Sequence, residues 1–106
     1  MTFRQGQLWL VNLDPTIGSE IRKTRPAVIV SPDELNEHLR TVIVVPLTTG
    51  KSYPFRVATR VAGKPGTAAV DQLRTLDKAR LVKKLGTMKR PTLQKILATI
   101  SDMFAL

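Results

Sequence analysis

Arg25-Pro26-Ala27-Val28-Ile29-Val30-Ser31-Pro32-Asp33-Glu34 decides the architecture. Ala27 to Val30 is a short apolar run rich in β-branched residues, which suits a buried strand. Pro26 can open such a strand but would remove a hydrogen-bond donor from its middle. Ser31-Pro32-Asp33-Glu34 then reads as a helix start. Ser31 suits the N-cap, Pro32 the first helical position, and Glu34 completes a capping box. This short helix is expected to end near Leu39. Thr41 to Leu47 follows, an unbroken run suited to a strand buried on both faces.

Working outward, Gln7 to Asn12 reads as a first strand, and Leu13 to Arg25 as a loop marked by Asp14-Pro15 and Gly18-Ser19. Downstream, Pro54 to Arg60 alternates as a half-exposed strand, with a turn at Gly63-Lys64-Pro65-Gly66. Thr67 to Val70 forms a short strand ending at Asp71-Gln72. Arg74 to Asp77 reads as strand then turn, and Leu81 to Leu85 as a strand. Pro91 to Phe104 has the clearest helical period, with Leu93, Ile96, Leu97, Ile100, Met103 and Phe104 on one face. Five or six short strands and two helices describe an α+β domain on a small barrel or twisted antiparallel sheet.

The 106 residues suit one domain, and 42% apolar content is enough to fill its core. The N-terminus lacks the apolar core of a signal peptide, and no run approaches a membrane span, so a cytoplasmic protein is the simplest expectation. The absence of cysteine excludes disulfides, zinc–thiolate sites and thiol nucleophiles. A single histidine, His38, argues against a histidine-rich metal site. The net charge of +9, from 17 Lys and Arg against 8 Asp and Glu, points to polyanionic partners: nucleic acid or an acidic protein segment. A merely soluble basic surface is the plainer alternative.

Glu20 and Arg25 lie five residues apart in a cationic loop that also holds Arg22 and Lys23. A surface salt bridge is the plain reading of that pair, and a phosphate-handling site the functional one. Gly18 permits a tight backbone approach, and Pro26 restricts the backbone beside Arg25. Thr48 and Thr49 close the buried run. They read either as ordinary strand-end hydroxyls or as donors to a phosphate oxygen. Asp71 can cap a turn, act as an acid–base group or read a base edge. The basic set from Arg74 to Lys95 suits a nucleic-acid backbone but lacks interleaved aromatics. Trp9 reads as a core residue, and a stacking role for Tyr53 has no further support.

Together these residues resemble the MazF/PemK family of toxin endoribonucleases over nearly the whole chain. The resemblance runs through Gly6 to Thr16, Gly18-Ser19-Glu20, Thr24 to Ser31, Val45 to Thr49, Val70 to Asp77 and Ala79-Arg80-Leu81. It implies an SH3-like barrel with a C-terminal helix, a homodimer, and metal- and ribosome-independent cleavage of single-stranded RNA without a cofactor. It implies an antitoxin with an acidic, flexible C-terminal segment, and DNA contact only through the antitoxin complex. The implied catalytic residues are Arg25, Thr48 and Glu20. The implied RNA-binding residues are Lys23, Asn36, Thr49, Lys51, Asp71 and Gln72. Some family members carry an arginine two residues before the late aspartate as an acid. Here that position is Ala69, which turns the assignment towards Arg25. A gyrase-poisoning toxin of the same fold class and a non-catalytic nucleic-acid-binding module are the alternatives.

Overall fold

The computed structural model describes residues 2–106. Seven strands and two α-helices follow in the order β1 Gln7–Asn12, β2 Thr24–Ile29, α1 Asp33–His38, β3 Thr41–Thr48, β4 Arg56–Val61, β5 Lys64–Ala69, β6 Arg74–Asp77, β7 Leu81–Thr87 and α2 Arg90–Met103. Short 3₁₀ turns at Val70–Gln72 and Lys78–Arg80 flank β6. All pairings are antiparallel. The sheet runs β4-β5-β3-β2-β1-β7, with β6 also on β3. It is an open, curled sheet, so the expected α+β class holds while the barrel does not close.

β3 organises the site. One edge takes β2, pairing Ala27 with Pro46, Val28 with Val45 and Ile29 with Val44. The opposite edge is shared: β6 takes Thr41 to Val44, and β5 takes Leu47 and Thr48. The chain crosses from β5 to β6 through the Val70–Gln72 turn. Asp71 and Gln72 are thereby delivered beside Pro46, in the gap between the two pairings.

β2 and β3 are buried on both faces, as their unbroken apolar runs require. Val28, Val45 and Leu47 pack in one layer with Ile96 and Met88. Ala27, Ile29, Val42 and Val44 face the other, with Trp9, Val11 and Leu76. Trp9 is a core residue, and its indole N–H donates to Gln7 Oε1 at 2.9 Å.

Several local expectations change. Pro26 lies inside β2, opposite Leu10, but the β2–β3 ladder starts only at Ala27, so at Pro26 that edge has no pairing to lose. Pro65 likewise lies inside β5, where β3 pairs only with Thr67 and Ala68. Ser31 is not the cap of α1: Pro32 stands there without a side-chain cap bond. The Ser31 hydroxyl instead accepts from Ile43 N–H at 3.0 Å and donates to Asn36 Oδ1 at 2.5 Å. Phe104 lies past the end of α2 and is 67% exposed, while Ile96 is wholly buried. No helix is long and apolar enough to cross a membrane.

Candidate active site

The Asp14–Lys23 loop is pinned at both ends. Asp14 Oδ1 accepts from Lys23 N–H at 3.0 Å, and Leu13 N–H donates to the Lys23 carbonyl at 3.0 Å. Gln72 Oε1 accepts from Ile21 N–H at 2.8 Å, tying the loop to the β5–β6 crossing. Arg74 donates to the Leu13 carbonyl, and Arg80 to the carbonyls of Asn12 and Asp14. Gly18 takes the left-handed conformation, at φ +61°, that its position in the loop calls for.

Between the loop and the crossing lies a cleft of about 560 Å³, lined by Ser19, Glu20, Ile21, Pro46, Asp71, Gln72, Leu73 and Arg74. Arg25 and Thr48 are not among the residues that line it; they lie near the start of β2 and at the end of β3. The β2–β3 ladder ends at the Ala27–Pro46 pair; Arg25 and Thr48 each lie two residues beyond it along their own strands, on the face of Ala27 and Pro46 by strand alternation. Gly66 holds Thr48 from the other edge: a Cβ there would sit 2.6 Å from the Thr48 carbonyl oxygen.

Glu20 and Arg25 form no ion pair; among the described residues the salt bridges are Arg4–Asp33 and Arg56–Asp71. Glu20 Oε1 accepts from Ile17 N–H at 2.6 Å, and Arg25 Nε donates to the Arg22 carbonyl at 3.3 Å. Thr48 Oγ1 accepts from Gly50 N–H at 3.2 Å, which leaves its hydroxyl proton to donate elsewhere. Glu20, in the cleft lining, and Arg25 and Thr48, outside it, are thus each held by a backbone partner, and none is neutralised by another.

The RNA-binding candidates separate. Asp71 and Gln72 line the cleft, while Lys23, Thr49 and Lys51 are exposed on the adjoining loops. Asn36 does not join them. It is 2% exposed, and its amide both accepts from the Ser31 hydroxyl and donates to the Ser31 carbonyl at 3.0 Å, so its place is a packing one.

Sequence reasoning missed Arg56. It faces Ala69 across the β4–β5 ladder and forms two hydrogen bonds to Asp71, at 2.9 and 3.1 Å. Asp71 thus has an arginine although position 69 offers none. The hydrogen bond from Arg56 holds the Asp71 carboxyl below its ordinary range, against the opposing push of burial. The same bond raises Arg56. The signal lay only in the hairpin register, which the sequence does not print. Among the described residues no group of three His, Cys, Asp or Glu side chains could hold a metal ion.

Comparison with known proteins identifies the family. Residues 4–104 match the family model of the PemK-like, MazF-like toxins of type II toxin-antitoxin systems. The chain is 38% identical to Endoribonuclease PemK of Escherichia coli, over 93% of this chain and 80% of that protein. It is 40% identical to Endoribonuclease toxin MazF of Escherichia coli K12, over 91% and 88%. The fold superposes on MazF from Deinococcus radiodurans with TM-score 0.86 and 26% identity, covering 100% of this chain and 99% of the other. It matches a mycobacterial endoribonuclease, solved in complex with its cognate antitoxin, at TM-score 0.78 and 27% identity, over 94% and 92%. With a family match that spans nearly its whole length and a fold that carries the same elements, the chain belongs to the PemK-like, MazF-like toxins of type II toxin-antitoxin systems.

Proposed function

We propose that the chain is an endoribonuclease that cuts single-stranded RNA by transesterification, without metal or ribosome. The observation that carries this reading is that, in a chain of this family, Glu20 lines the cleft and neither Glu20 nor Arg25 is engaged in an ion pair, which leaves both free for an RNA substrate. RNA supplies its own nucleophile. The 2′-oxygen attacks phosphorus, the bond from phosphorus to the 5′-oxygen breaks, and the products carry a 2′,3′-cyclic phosphate and a 5′-hydroxyl. The protein has to accept the 2′-hydroxyl proton, stabilise charge on the phosphorane and assist the leaving oxygen.

Arg25 stabilises the phosphorane and assists protonation of the 5′-oxygen. Thr48 donates to a non-bridging phosphate oxygen. Because Glu20 is not engaged with Arg25, it is better suited to take the 2′-hydroxyl proton than to orient the guanidinium. Lys23, Thr49 and Lys51 contact the RNA backbone from the loops, and Gln72 contacts it beside Asp71. The active form is a homodimer, neutralised by an antitoxin whose acidic segment competes with RNA for the +9 surface. DNA is met only through that complex.

Incubating the protein with a long RNA in EDTA, without ribosomes, tests the reading. Discrete fragments are expected. Intact RNA with stalled gyrase would identify a topoisomerase poison, and retarded but uncut RNA a binding module.

A further inference from the structure

Tyr53 is joined through Arg56 to Asp71, a residue of the cleft lining. It is 56% exposed, in the turn that leads into β4. Single exposed tyrosines are ordinary, but this one is backed. The Arg56 guanidinium lies 5.0 Å from the ring centroid and covers one face. That guanidinium is itself fixed: the Arg56 side chain is only 12% exposed, and Asp71 grips it at two points. Ala69, opposite Arg56, ends at Cβ and leaves the guanidinium room to reach across. The turn is closed by Arg56 N–H donating to the Tyr53 carbonyl at 3.1 Å, with Phe55 in the left-handed region at φ +61°.

The chain Asp71–Arg56–Tyr53 thus runs from the cleft lining to an exposed aromatic ring. With both of its Asp71 bonds made, Arg56 is poorly placed to serve as a phosphate ligand; what it does is hold the ring. A ring held flat from beneath loses little freedom when a second flat group lands on it, which favours stacking. We infer that Tyr53 is a base-stacking residue that grips an unpaired nucleobase of the RNA next to the cleft, with Arg56 as its positioning residue. This rests on the proposed ribonuclease reading and adds a determinant of RNA register to it.

The test compares binding of a short single-stranded RNA taken from a mapped cut site, with a 2′-deoxy nucleotide at the cleaved position so that it is not consumed. If the wild-type protein cuts nothing, a random-sequence RNA of the same length serves instead. Tyr53→Ala and Tyr53→Leu are expected to bind about tenfold or more weakly, in line with one lost base stack. Tyr53→Phe and Tyr53→Trp should bind as wild type, and Arg56→Lys, which cannot form the two-point grip, should fall between. Tyr53 is the only tyrosine in the chain, so ring-labelled protein gives one set of aromatic tyrosine signals. These should move upfield when RNA is added. Equal binding by wild type and Tyr53→Ala, or unmoved ring signals with RNA bound, overturns the stacking role. Failure of the wild type to cut RNA overturns the ribonuclease reading instead.

Discussion

Arg25 and Arg56 are the same residue type put to different use by their partners. Arg56 is held by a carboxylate at two points, whereas among the described residues the Arg25 side chain hydrogen-bonds to the Arg22 carbonyl and forms no ion pair. A guanidinium without a counter-ion is the one suited to an incoming phosphate. The difference was half legible in the sequence. Arg25 stood out because a proline follows it and an acid precedes it by five residues. Arg56 did not, because its partner lies 15 residues away and meets it only through the β4–β5 hairpin. The expected alternative, a Glu20–Arg25 salt bridge, does not form, since each side chain finds a nearer backbone partner. At this scale the Arg56–Asp71 pair makes a pH prediction. Asp71 titrates below its unfolded value, so its contribution is complete above the ordinary carboxylate pKa of about 3.9 and is lost as pH falls through the folded value. Asp71→Asn should therefore lower stability at neutral pH, with the deficit closing in acid, as thermal melts against pH would show. The loss should be under about 1 kcal/mol, because the Asp71 side chain is 43% exposed.

Elements were legible where a period repeats and obscure where a tertiary partner intervenes. α2 announced itself through apolar residues at three- and four-residue steps, and Ile96, at the centre of that stripe, is wholly buried. Ile96→Ala should cost about 2–5 kcal/mol and lower the melting temperature accordingly. The Ser31 cap was a sound local reading that failed because Ile43 N–H, twelve residues on, offered the hydroxyl a better partner. The strand at Pro65 was masked by a residue usually excluded from ladders, and is tolerated because β3 pairs only further along. Gly66 joins element to site. A Cβ there would lie 2.6 Å from the Thr48 carbonyl oxygen and 2.7 Å from Val61 Cγ2. Backbone cannot yield as a flexible side chain does, so Gly66→Ala should cost about 1–3 kcal/mol. By displacing Thr48 it should also slow RNA cleavage more than Ile96→Ala does at a temperature where both variants are folded.

For the molecule as a whole, composition and order of motifs carried the family, and the charge carried the class of partner. What they left hidden was how one strand, β3, shares an edge between β5 and β6 and so opens the cleft at Pro46. Glu20, from the Asp14–Lys23 loop, and Asp71 and Gln72, from the crossing, line that cleft together with Pro46. The claim that this arrangement cuts RNA through Arg25 is tested most directly by cleavage of a long RNA in EDTA, comparing wild type with Arg25→Ala. Circular dichroism and sedimentation should first establish that the variant keeps the wild-type fold and assembly. The account predicts discrete wild-type fragments ending in 2′,3′-cyclic phosphate and 5′-hydroxyl groups, with a rate about 100- to 1000-fold lower for the variant, as for loss of one charge-stabilising donor. Cleavage by folded Arg25→Ala at the wild-type rate would contradict it.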